Sequence, residues 1–251
     1  QHPCINYALD DLRSFLPNNA KVITYGGSMG GYAAIVFANK LGAKGFISIA
    51  PQYSLSKKFR KKNNENRWIE ETKFWNFDHF ESLKQLPCGV VIYDPFCLAD
   101  YKHIEAMMQK FSFSHLKVDG GGHKPHDFLK NYAQIDMFSI ILKTINMSEI
   151  SKEMKDYIKS LNKKYQCSKF AMFFNASIDE KLRLIKDKEY KEYLYELDPH
   201  YLLQSFQNLP SQNNVKLIET FIKGTSYEIK KNYLQNVLKD NPFISFSKSK
   251  S

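Results

Sequence analysis

The sequence predicts an α/β fold, with a parallel sheet and helical crossovers in the first half and an all-helical region after it. Three observations carry that reading. Short β-branched runs alternate with segments of helical periodicity from residue 5 to about residue 143, the pattern of strands joined by crossover helices. Those runs stop at glycine or proline, at Gly26-Gly27, Pro51 and Gly120-Gly121-Gly122. Past residue 148 strand patterns and glycines almost vanish, and Lys, Glu, Tyr and Leu recur at helical spacing.

Residues 5–16 (INYALDDLRSFL) space their apolar side chains as a helix does, and Lys21–Tyr25 is a β-branched run ended by the glycines. Met29–Leu41 reads as a helix stopped by Gly42, and Gly45–Ala50 as a second strand stopped by Pro51. A long connection, 51–86, follows. Cys88–Tyr93 is the third strand, 101–111 a helix with Asp100 as its expected N-cap, and His115–Val118 the fourth strand. One helix from Pro125 to about Lys143 closes the unit. Candidate helices then lie at 149–163, 178–196, 199–207, 213–223 and 225–239. The expected division is therefore an α/β domain over 1–147, with a cap-like insertion at 51–86, and a helical domain over 148–251.

At 251 residues the chain can hold one or two domains. Its 43% hydrophobic and 25% charged residues are those of a globular protein, not a disordered or collagenous one. No run approaches the roughly 18 apolar residues of a membrane helix, and no basic stretch leads into an apolar core at the N-terminus. The expectation is a protein without a membrane span, by default cytoplasmic. The first residues are Gln1-His2-Pro3, so the natural start is expected upstream. The net charge of +10 is spread along the chain, with 18 Lys/Arg against 12 Asp/Glu after residue 150 and 18 against 14 before it. Acidic partners are compatible with such a balance, but no nucleic-acid-binding motif accompanies it. Cys4, Cys88, Cys97 and Cys167 show no C-x-x-C pairing. That argues against a structural zinc site and a disulfide scaffold, and for buried free thiols.

The chemistry concentrates at Gly26-Gly27-Ser28-Met29-Gly30-Gly31, a G-x-S-x-G between a strand and a helix. A serine in such a turn sits on strained backbone, and the residues two before and two after it, Gly26 and Gly30, must be small for strand and helix to approach. A phosphate-cradling loop is a poorer fit, because the G-K-[ST] ending and the G-x-G-x-x-G spacing are both absent.

The stretch VITYGGSMGGYAAIVFANKLGAKGFISIAPQ resembles the nucleophile elbow, following helix and next strand of the serine α/β-hydrolases. Its SMGGYAA wording is similar to bacterial members linked to surface-polysaccharide acyl chemistry, some of them O-acetyltransferases. The resemblance implies a partial hydrolase-type parallel sheet with flanking helices, and a triad in the chain order serine, acid, histidine. Ser28 is then the nucleophile. His123, after the fourth strand and three glycines, is the base, since imidazole titrates near neutral pH; His126, in the same loop, is its rival. The acid follows the third strand, where Asp94 and Asp100 compete. Asp94 lies 29 residues before His123 and Asp100 23. The longer spacing is the one the resemblance implies, that of the helix, strand and two turns that intervene in relatives of this fold, and Asp100 has the alternative work of capping a helix, so Asp94 is preferred. The backbone N–H of Met29 supplies one oxyanion donor. The second, by the resemblance, lies on a loop well upstream, so earlier strands and that loop are expected before Gln1.

In the 51–86 connection Lys57-Lys58-Phe59-Arg60-Lys61-Lys62 precedes Trp68, Phe74, Trp75, Phe77 and Phe80. Cations beside aromatic rings suit an anionic sugar polymer; a solvated basic loop followed by core-covering aromatics is the plainer alternative. The sequence thus predicts a serine esterase or O-acyltransferase acting on a carbohydrate ester, for which the resemblance offers acetyl-CoA as an acyl donor. Hydrolysis itself requires no cofactor. The contrasting expectation is a non-catalytic interaction module of a glycan-assembly system, built on a truncated hydrolase unit.

Overall fold

A computed structural model describes residues 4–63 and 79–196. Its centre is a four-stranded, all-parallel sheet in the order β1-β2-β3-β4, formed by β1 (Ile23–Gly27), β2 (Gly45–Ile49), β3 (Cys88–Tyr93) and β4 (Ser114–Lys117). The registers Ile23↔Gly45, Gly45↔Cys88 and Val90↔Ser114 stagger the strands only slightly, so their C-terminal ends form one edge. All five residues of β2, and β3 from Gly89 on, are buried. Those two inner strands are covered on both faces, which is why they read as continuous apolar runs rather than alternating ones.

The helices of the first half are α1 (Ile5–Ser14), α2 (Met29–Val36), α3 (Lys57–Asn63), α4 (His79–Ser82) and α5 (Leu98–Met108). On one face of the sheet Phe46, Val91 and Tyr93 pack with Tyr32, Ile35 and Val36 of α2, Phe80 of α4, and Ile104 and Met107 of α5. The opposite face, presenting Ile47, Val90 and Ile92 by the strand period, is contacted by helices that follow β4: α6 (Pro125–Ala133), α7 (Met137–Asn146) and α8 (Ile150–Gln166). The single helix expected over 125–143 is two. Gln134 turns left-handed at φ 52, and Asp136 caps α7 by accepting from Ser139 N–H at 2.9 Å.

The boundary expected after residue 147 lies later, because one compact unit runs to Ser168 and a second begins at Lys169. The reason is α8, which completes the open side of β4. Asn162 accepts from Lys117 N–H at 3.0 Å and donates to the His115 carbonyl at 2.8 Å, and Tyr165 donates to the Asp119 carbonyl. A helix side chain thus satisfies strand-edge groups that a fifth strand would otherwise take. The second unit, within the described residues, holds α9 (Lys169–Asn175), α10 (Ile178–Lys186) and α11 (Lys188–Glu196). Phe170, Phe173 and Phe174 are buried there, and Lys181 lies over the Phe173 and Phe174 rings. The expected helices at 199–207, 213–223 and 225–239 fall outside the described residues, as do Trp68, Phe74, Trp75 and Phe77. No described helix is long and apolar enough to cross a membrane.

Candidate active site

β1 ends on Gly26-Gly27 and α2 begins at Met29, so Ser28 alone makes the turn. Its backbone takes φ 54 and ψ −117, outside the left-handed well as well as the ordinary regions, a conformation that surrounding structure must hold in place. The Ser28 N–H donates to the Ile49 carbonyl at 2.8 Å, and its own carbonyl accepts from Tyr32 N–H at 3.0 Å. A Cβ at Gly26 would stand 2.3 Å from the Gly30 carbonyl oxygen; one at Gly31 would stand 2.7 Å from Ser48 Oγ and 3.1 Å from the Ile49 carbonyl oxygen. At Gly30 it would meet nothing within 4 Å. The small residue required after the serine is therefore Gly31 rather than Gly30. Gly30 faces outward, and it is its carbonyl, not its missing side chain, that meets the strand. Met29 opens α2, where the first N–H groups have no intrahelical acceptor.

The ladder continues past the strands along this edge. Ala50 N–H donates to the Ile92 carbonyl, and Val118 N–H to the Tyr93 carbonyl, both at 2.9 Å. At about 4.8 Å per strand the end of β4 lies roughly 14 Å across the sheet from that of β1, so a histidine after β4 serves the elbow only by leaning back over the edge. His123 reaches the segment that follows β3. Its Nδ1 lies 2.7 Å from Asp100 Oδ2, a carboxylate that is 2% exposed on the first turn of α5.

The carboxylate that meets His123 is thus that of Asp100 and not that of Asp94, the aspartate preferred from the sequence. The cause is local. Helix α5 starts at Leu98 rather than at 101, with Cys97 as N-cap. Asp100 is then the third residue of the helix rather than its cap, and its carboxylate meets the histidine loop. Asp94, buried directly after β3, instead accepts from Phe96 N–H at 2.9 Å and Gly122 N–H at 2.8 Å. Burial pushes its carboxyl up to about 6, against the downward pull of the Phe96, Gly122 and Gly120 N–H groups. His126 lies in the first turn of α6, with Nε2 3.6 Å from Asp127 Oδ1. Among the described residues Ser28 Oγ makes no hydrogen bond, so serine and histidine share an edge without the contact between them being closed.

Sequence reasoning missed Cys97. Its Sγ lies 3.4 Å from Asp100 Oδ2, and its thiol is pushed up to about 12, first by burial and then by the Asp100 charge. It is therefore a protonated donor to the acid, not a rival nucleophile. The expectation of buried thiols fails at the other three: Cys4, Cys88 and Cys167 are exposed, the first two because they lie at the outer starts of α1 and β3.

In the 51–86 connection α3 is a basic helix with no buried residue. Phe80 is fully buried and stacks on Tyr53 with centroids 5.1 Å apart, so it serves the core. Met29, Phe96 and Leu98, at the elbow and in the acid loop, are exposed large hydrophobics. Compared with protein-family models, curated proteins and solved structures, the chain has no match.

Proposed function

We propose that the chain is a serine-nucleophile acyl-transfer enzyme of the α/β-hydrolase type, acting on an ester of a carbohydrate. The observation that carries this reading is Ser28 in its strained strand-to-helix turn on the sheet edge where His123 meets the buried Asp100. In the reaction Ser28 Oγ attacks the ester carbonyl while its proton passes to His123 Nε2. Asp100, on Nδ1, holds the imidazole in the required tautomer and stabilises the imidazolium without taking the proton. The carbonyl oxygen gains negative charge near Met29 N–H. Collapse expels the alcohol, which takes the proton back from Nε2 and leaves an acyl-serine. Water resolves the acyl-serine in an esterase, a sugar hydroxyl in an O-acyltransferase, with acetyl-CoA in the latter case as the donor that first acylates Ser28 and leaves as the thiol. The basic helix α3 favours an anionic glycan as the carbohydrate partner.

A fluorophosphonate probe tests the reading. Labelling that maps to Ser28 and vanishes in Ser28→Ala supports it; a folded protein that never labels supports the non-catalytic module instead. Acetyl-CoA turnover with and without a glycan acceptor then separates the two enzymes, because strictly acceptor-dependent CoA release is incompatible with a plain esterase.

A further inference from the structure

The scheme above leaves the buried carboxylate of Asp94 without work. Asp94 is 2% exposed and lies directly after β3. A buried carboxylate is costly unless it is hydrogen-bonded, and the partners of this one fall on two different loops. Oδ1 takes the N–H of Phe96, in the loop that leads through Cys97 into α5 and Asp100; Oδ2 takes the N–H of Gly122, the residue before His123. Gly120 N–H also reaches it. Gly120 and Gly122 have φ of 81 and 56, values that favour glycine, and the loop so shaped delivers both N–H groups to one carboxylate. Asp94 therefore spans the segments that carry the two members of the His123–Asp100 pair.

We propose, building on the functional reading above, that Asp94 is a positioning residue: it ties the histidine loop to the acid loop so that His123 Nδ1 stays on Asp100. The division of labour between two carboxylates six positions apart is then explicit. Asp100 meets the imidazole, and among the described residues the hydrogen bonds of Asp94 go to backbone. Asparagine in place of Asp94 keeps one acceptor oxygen but turns an N–H₂ toward a backbone donor, so one of the two loops is released.

The test uses the full chain and begins with wild type. The Gly122 amide is expected to be protected from hydrogen exchange, and to exchange at least about tenfold faster in Asp94→Asn. The His123 Nδ1 proton signal in NMR is expected to disappear in Asp100→Asn and to broaden in Asp94→Asn. Fluorophosphonate labelling of Ser28 is expected to slow about 10–100-fold in Asp94→Asn, the scale of a misplaced catalytic group. In an Asp100→Asn background the same change is expected to add less than about threefold, because it acts through the pair already lost. Full additivity in the double variant overturns the proposal by making Asp94 an acid in its own right. An unprotected Gly122 amide in wild type overturns it too, and needs no variant to fold. If wild-type Ser28 never labels while the two NMR results appear as expected, the functional reading fails and the loop tie stands.

Discussion

The elbow and the acid–histidine loops lie on one sheet edge but are built by different means. Around Ser28 the geometry is made by backbone: a residue at φ 54 between a strand and a helix, with glycine at 26, where a Cβ would collide with the Gly30 carbonyl, and at 31, where it would collide with Ser48 Oγ and crowd the Ile49 carbonyl. Around His123 it is made by side chains meeting across separate elements, Asp100 on the imidazole and Asp94 on the N–H groups of two loops. A backbone device is written in contiguous residues and carries no charge. A side-chain device depends on where distant elements begin, and it titrates.

The largest effect expected from breaking this comparison is at Ser28, the proposed nucleophile. Ser28→Ala should lower turnover of an activated ester by about a million-fold, the scale for removing a triad nucleophile, with the fold intact by circular dichroism. Asp100→Asn should cost about ten-thousand-fold in kcat. Asp94→Asn should cost far less, and equal losses in the two would erase the division of labour between them.

Stability against pH separates the two regions next. The Asp94 carboxyl, at about 6 in the folded chain against its ordinary 3.8, keeps its proton in the native state over a range where the unfolded chain has released it. The native state binds more protons between those values, so this group makes stability fall as pH rises from about 4 to 6, by up to about 3 kcal/mol. Urea titrations across that range should show the slope in wild type and a shallower one in Asp94→Asn. Substitutions at the elbow should leave it unchanged.

Smallest are the glycine effects. Gly26→Ala should destabilise by about 1–3 kcal/mol as its methyl meets the Gly30 carbonyl. Gly30→Ala, which meets nothing, should be neutral or stabilise by about 0.5–1 kcal/mol in a helical position. Thermal melts of the two variants side by side would check the reversal of roles between Gly30 and Gly31.

The strands were readable because buried parallel strands are short apolar runs bounded by glycine and proline. The third, Cys88–Tyr93, has the same bounds in the sequence pattern and in the structure. Helix starts were harder. Asp100 followed by Tyr-Lys-His looks like a cap, and nothing local says that Cys97, a poor capping residue, takes that place instead. The extent of the first unit was equally hidden, because α8 has the same Lys-rich periodicity as the helices of the second unit. Its membership in the first depends on Asn162 reaching the edge of β4.

By itself the sequence determined the alternation of strands and helices and the place of Ser28 between a strand and a helix. Those are consequences of periodicity and glycine spacing, interactions among residues a few positions apart. Tertiary structure decided which aspartate meets His123, what the other one holds, and where the first unit ends. Each of these depends on a contact between residues more than twenty positions apart, and such a contact forms only once the sheet has set its strand ends side by side.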